Sequence, residues 1–262
     1  MEWRDDGVTL SRRRHGDTGA IIEVLTRDHG RHAGFVHGGA SSKLAPVLET
    51  GTQVEVAWRS RVEEQLGIFK VEMVRSRSRI LADPCALSAL GSVAALVRMA
   101  CPERMPLPRL YHATVSFLDH LESGESARNG FASYALWEKQ LLEDLGYGMD
   151  LRCCAVTGTT VDLVHVSPRT GRAVSRAAGA RYADRLLPLP PLLLGCSDET
   201  TSAGVLDALT TTGHFIETRL LAVLGDRPVP HARRRLITQL RRRSGSGADE
   251  RLTGKGGSQP SG

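Results

Sequence analysis

The chain has 262 residues, with 34 Lys and Arg against 29 Asp and Glu for a formal net charge of +5. That length supports one large or two small domains, and no apolar run reaches the roughly 18 residues of a membrane span, since Pro188, Pro190 and Pro191 interrupt Leu186 to Leu194. The charged start, Met1-Glu2-Trp3-Arg4-Asp5-Asp6, shows no secretory signal, and five cysteines without framework spacing suit a reducing cytoplasm.

Residues 7–75 read as five short strands: Val8 to Arg12, Ala20 to Leu25, Arg31 to His37, Val54 to Arg59 and Leu66 to Val74. They are rich in β-branched and aromatic residues, several alternate in and out, and Gly16, Asp28-His29-Gly30, Gly38-Gly39 and Gly51 punctuate them. Five strands at these intervals predict a small closed barrel, either an OB-fold or an SH3-like barrel. Asp83-Pro84 then opens a helical region, with Asp83 as N-cap and Pro84 at the first helical position. Three apolar stripes follow: Leu87, Leu90, Ala94, Val97 and Cys101; Leu110, Ala113, Phe117 and Leu121; Phe131, Tyr134, Trp137, Leu141 and Leu145. These are core faces. The third stops at Gly146, where a left-handed cap is expected. Helices resume over 200–209, 213–224 and 231–242, and the Gly/Ser-rich residues 244–262 read as a disordered tail.

Between those helices lies a segment with the layout of a zinc ribbon, two knuckles about twenty residues apart, that lacks most of the thiols. Three runs in this region carry a family resemblance: Leu141-Leu142-Glu143-Asp144-Leu145-Gly146-Tyr147-Gly148-Met149-Asp150-Leu151, Cys154-Ala155-Val156-Thr157-Gly158, and Ser167-Pro168-Arg169-Thr170-Gly171-Arg172-Ala173-Val174. On these the chain resembles RecO, a bacterial recombination mediator of DNA repair. The resemblance extends to the N-terminal strands and the late helices.

It implies an α+β protein. An N-terminal five-stranded OB-fold barrel over 1–81 binds DNA, and a helical domain over 82–243 carries a degenerate, zinc-less ribbon insert at about 152–180. In zinc-binding members two C-x-x-C pairs supply the metal ligands. Here Cys154 matches the first, while Thr157, Ser175 and Ala178 hold the other three positions. A threonine or serine hydroxyl is not a usual zinc ligand, so no metal and no cofactor is expected. The implied function is mediation without chemistry: binding single- and double-stranded DNA, annealing strands, and with RecR, in some pathways RecF, helping RecA replace single-strand DNA-binding protein on gapped DNA. The partner surface implied in the helical domain is an apolar pocket rimmed by cations that takes that protein's C-terminal tail, with Arg128, Trp137 and Lys139 as candidates. The expected location is cytoplasmic and nucleoid-associated, without a membrane partner.

The charge distribution fits a polyanion partner, being basic toward both ends and acidic over 82–160. Arg12, Arg14, Arg31, His37, Lys43, Arg59, Arg61 and Lys70 can gather along a barrel groove that tracks a phosphate backbone. The His37-Gly38-Gly39 loop offers amides to a phosphate, although RecO proteins commonly place Lys-Gly and arginines there. Phe35 and Trp58 read as core, which leaves few platforms for bases. Arg233-Arg234-Arg235 and Arg241-Arg242-Arg243 read as a solvated face or a second DNA contact. No nucleophile elbow, metalloprotease or dinucleotide motif is present, so an enzyme is not expected. The competing readings are a protein scaffold without DNA affinity and an RNA-binding OB protein.

Overall fold

A strand with one buried face must alternate apolar and polar side chains, and the first five elements do so closely enough to wrap into a closed barrel. In the computed structural model, which describes residues 1–62, 65–124, 130–196 and 201–253, these are β1 (Glu2–His15), β2 (Gly19–Thr26), β3 (Arg31–Val36), β4 (Gln53–Arg59) and β5 (Ile68–Arg75). Their order around the barrel is β1-β2-β3-β5-β4, antiparallel except for β3 against β5, and β1 closes the ring on β4. This is the five-stranded Greek-key arrangement of an OB-fold, which decides against the SH3-like alternative. Ile22, Val24, Val54, Val56, Trp58 and Phe69 fill the interior, with Leu48 of the β3–β4 connection.

β1 is longer than its β-branched run predicts because it serves two neighbours. Glu2 to Val8 pair with β4, Gly7 to His15 pair with β2, and a bulge lies between Thr9 and Ser11. The polar Arg4-Asp5-Asp6 stretch concealed that extension, since ladder pairing uses backbone groups that any side chain permits.

The chain crosses to the helices through a 3-10 turn at Ser78–Ala82. Asp83 caps α1 (Pro84–Ala100) by accepting from the Cys85 amide at 2.8 Å. α2 (Pro108–Ser123) and α3 (Gly130–Asp144) follow, and α2 packs on α3. β6 (Leu163–Val166), β7 (Ala173–Ser175) and β8 (Leu187–Pro188) form a small sheet, with α4 (Arg176–Gly179) after β7. α5 (Ser202–Phe215) runs straight into a π-helical turn, Ile216–Leu221, and α6 (His231–Thr253) packs on α1.

Barrel and helices share one core. Val8, Leu10 and Leu25 join the cluster built by α1, α2, α3, α5 and α6. Arg77 pins the junction: its guanidinium reaches Asp119 Oδ1 at 2.7 and 2.9 Å, the Gly51 carbonyl at 2.8 Å and Gln53 Oε1 at 3.1 Å. At Gly30, φ is +69° and a Cβ would lie 2.1 Å from the Met105 carbonyl oxygen, so only glycine lets this turn meet the helical domain.

Three expectations for the late helices need correction. The break expected at residues 210–212 is absent, because Gly213 makes room within the helix for Arg233, whose Nη2 would stand 2.7 Å from a Cβ there. Arg233 is not on a solvated face: it is 5% exposed and bonds Glu138 at 2.7 and 2.9 Å, while Thr212 Oγ1 donates to the same carboxylate. Residues 244–253, expected in the disordered tail, continue α6; a nucleated helix adds one hydrogen bond per residue, and Arg243 anchors it to Asp83 at 2.9 Å. Residues 254–262 lie outside the described residues.

Candidate nucleic-acid interface

Strand pairing places the outer-facing residues of β1, β2 and β3 in rows. Arg13, Ile21 and Phe35 stand side by side and Ile68 of β5 continues the row; Ser11, Glu23 and Ala33 form the next. Phe35 is therefore not core as expected. It lies half-buried on the outer wall, because its neighbours Gly34 and Val36 are the inward residues of β3, and His15 and His37 meet its ring edge-on. Trp58 is buried inside the barrel.

Beside this face lies a cleft of about 710 Å³ whose lining includes Arg12, Arg13, Arg31 and Arg98, with Glu23 and Glu103 as its carboxylates and Leu66 from the β4–β5 loop. The cations are not equally available. Glu23 accepts from Arg98 and from Arg31, each at 2.8 Å. Burial pushes the Glu23 carboxyl up, but Arg98 and then Arg31 outweigh it and hold the group below its ordinary value. Arg31 also pairs with Glu103 at 3.3 Å and donates from Nε to the Cys101 carbonyl. It is largely neutralised and ties barrel to helices. Arg12 Nε donates to the Gly39 carbonyl at 3.1 Å, while Arg13 is exposed.

The other predicted residues surround this cleft without entering it. Arg14 is exposed at the β1–β2 turn and donates to the Asp17 carbonyl. His37 and Lys43 are exposed on the β3–β4 connection. The amides there do not cradle a phosphate as expected: Gly39 N–H donates to Val36, Ala40 N–H to Thr18 and Ser41 N–H to Gly38. Gly39 serves packing, since a Cβ would meet that of Ala20 at 2.7 Å. Arg59 and Lys70 are exposed on the outer face of β4 and β5, and Arg61 on the loop between those strands. Arg98 and the two carboxylates escaped the sequence reading. The signal for Arg98 was present, because it is the single charged residue in the 17-residue α1.

Of the partner candidates, Trp137 is 1% exposed and donates from Nε1 to Thr114 Oγ1 at 2.8 Å. A ring so enclosed cannot meet a partner, which corrects its candidacy. Arg128 lies outside the described residues. Lys139 pairs with Glu143 at 3.5 Å and lines a cavity of about 650 Å³ with Leu151, Leu163, Leu193, Leu194 and Arg152.

Comparison with known proteins decides the family. Residues 1–77 match the family described as Recombination protein O N terminal, and residues 81–228 match Recombination protein O C terminal. The chain belongs to the RecO family. It is 50% identical over 244 residues to DNA repair protein RecO of Ruegeria sp. (strain TM1040), covering 93% of this chain and 100% of the relative. Identity is also 50% over 243 residues to DNA repair protein RecO of Dinoroseobacter shibae, covering 92% and 99%. The RecO of Jannaschia sp. is 47% identical over 243 residues, covering 92% and 97%. Among the described residues no helix is long and apolar enough to cross a membrane.

In the segment expected as a ribbon insert, backbone amides hold Cys154. The Ser175 amide donates to Cys154 Sγ at 3.3 Å, and the Gly158 amide to the Cys154 carbonyl at 2.9 Å. Burial pushes the Cys154 thiol up, yet hydrogen bonds from Thr157 and Ser175 prevail and bring it down to about 6. Three of the four ligand positions hold Thr157, Ser175 and Ala178, so the donor set does not fit zinc. Among the described residues no group of three or more His, Cys, Asp or Glu could hold a metal ion.

Proposed function

We propose that this chain is a DNA-repair and recombination mediator that acts by binding, without a chemical step. It holds single- and double-stranded DNA, promotes annealing, and with RecR, in some settings RecF, helps RecA replace single-strand DNA-binding protein on gapped DNA. The observation that carries this reading is the cationic cleft beside the outer β2–β3 face, where OB-folds bind oligonucleotides. Arg12 and Arg13 supply charge for phosphates, Arg98 being held by Glu23, and the Ile21-Phe35-Ile68 row supplies a flat apolar platform for bases. Arg14, His37 and Lys43 extend the path at one end; Arg61, Arg59 and Lys70 flank it, and Arg31 braces it. The cavity beside Lys139 suits the tail of the single-strand binding protein, since its leucines offer an apolar floor, and Lys139 and Arg152 would exchange Glu143 and Asp150 for acidic residues of the tail.

The test is a binding comparison of single-stranded DNA, duplex DNA and RNA of equal length across a salt series. Tight, salt-sensitive DNA binding is expected, weakened in Arg12→Glu/Arg13→Glu. A preference for RNA favours the RNA-binding alternative, and no nucleic-acid binding favours the scaffold. A peptide ending in Asp-Ile-Pro-Phe should bind and lose affinity without its terminal Phe or in Lys139→Glu.

A further inference from the structure

The open end of the barrel holds a second feature that the cleft does not use. Trp3, His29, His32, Trp58 and Arg104 line a cavity of about 420 Å³, within the usual range of small-ligand pockets, about 300–1,000 Å³, and in the barrel mouth where such pockets recur. Its walls are flat and aromatic. Trp3 and His29 stack with centroids 4.0 Å apart and planes 7° apart, and His32 meets Trp58 edge-on at 4.9 Å. His29 is fixed by buried Asp5, whose Oδ2 contacts His29 Nδ1 at 2.8 Å and accepts from the backbone amides of Asp28 and His29.

His32 is the anomaly. It is only 4% exposed, yet among the described residues neither ring nitrogen has a hydrogen-bond partner. Leaving a buried polar group unsatisfied costs free energy, and a hydrocarbon side chain would fill the same space without that cost. His32 lines the cavity, and both of its nitrogens are themselves shielded from solvent. Burial, then the nearby charge of Arg104, lowers its pKa to about 4, so the ring is neutral near pH 7 and presents one donor and one acceptor.

The cavity also adjoins the cleft. Arg104 Nη2 donates to the Gln65 carbonyl, and its backbone N–H to the Arg31 carbonyl. Their chain neighbours Leu66 and Glu103, and Arg31 itself, line the cationic cleft. One wall, built from residues 65–66 and 103–104, therefore separates phosphate-binding charge from an aromatic pocket.

We propose that this barrel-mouth cavity receives one unstacked nucleobase of a single strand lying in the cleft. Trp3 and His29 supply its apolar wall, His32 bonds the base edge, and Arg104 faces the backbone at the entrance. This rests on the DNA-binding reading and adds a base-dependent contact to a charge-dependent one. A duplex, whose bases are paired and stacked, cannot fill the pocket without unpairing, so the cavity favours single strands.

The experiment compares an oligothymidylate with an oligonucleotide of equal length carrying abasic sites, which keeps every phosphate but lacks bases. Fluorescence anisotropy is read on the full-length protein, Trp3→Ala and His32→Leu. The unaltered protein should bind the abasic strand about tenfold more weakly, the scale of one base stacked on an aromatic side chain. Each variant should bind oligothymidylate more weakly and show reduced discrimination. His32→Leu decides the matter if Trp3→Ala does not fold, because among the described residues that ring makes no hydrogen bond to lose. Salt-dependent binding that ignores abasic sites overturns the pocket and leaves the cleft standing. Full discrimination retained in a folded variant also overturns it and assigns the base contact to the Phe35 row. Absence of any DNA binding removes both proposals.

Discussion

Replacing Glu23 with glutamine should make DNA binding tighter and more sensitive to salt. The cleft is lined by four arginines and two carboxylates, and Glu23 is the carboxylate shared by Arg98 and Arg31. Arg31 keeps Glu103 after the change, so the cation chiefly released is Arg98. One additional phosphate contact on a single strand steepens the slope of log affinity against log salt by about 0.7. Between about 50 and 200 mM salt that enlarges the loss of affinity two- to threefold. Fluorescence anisotropy with a labelled single strand measures the slope directly. The substitution should cost about 1–2 kcal/mol of stability, because Arg98 is half-exposed and screened while the more buried Arg31 loses one charge-assisted bond, and thermal melting checks that the fold survives. A slope unchanged or shallower in folded Glu23→Gln would refute the assignment of this cleft to phosphate.

Three further outcomes follow from buried groups. Arg233→Met leaves Glu138 charged and enclosed, and should lower unfolding stability by about 3–5 kcal/mol, with Glu138→Leu/Arg233→Met restoring much of it; urea denaturation reads both, and a loss under about 1 kcal/mol in the single variant contradicts the buried pair. His32, held near pKa 4 in the fold against 6.5 unfolded, protonates more readily in the unfolded chain, so its burial is harmless above pH 6.5 and costs stability as pH falls from there toward 4. The loss is of order 2 kcal/mol, and His32→Leu should flatten that part of the stability–pH curve. Protein purified without added metal should contain no stoichiometric zinc by elemental analysis, whereas Thr157→Cys/Ser175→Cys/Ala178→Cys, which supplies four thiols with Cys154 in a ribbon layout, should take up one zinc per chain.

Much of the architecture was readable because it depends on local periodicity. Alternating residues in β2 to β4, the Asp83-Pro84 start of α1 and the apolar stripe through Tyr134 and Trp137 each reflect the geometry of a single element. The first half of β1 was not readable, since Arg4-Asp5-Asp6 pairs through its backbone. Phe35 was placed inside because it is aromatic; inward Gly34 and Val36 put it outside. The pocket around His32 was equally hidden, as it needs Trp3, Trp58 and Arg104 from three distant segments.

Sequence alone determined the family, the five barrel strands with the first three helices after them, and the loss of thiols at Thr157, Ser175 and Ala178, because each is written in nearby residues. Only the tertiary structure decided which arginines remain available to a polyanion. Arg98 meets a carboxylate 75 residues away and Arg233 one 95 residues away, and a cation's reach into solvent depends on such partners rather than on its neighbours in the chain.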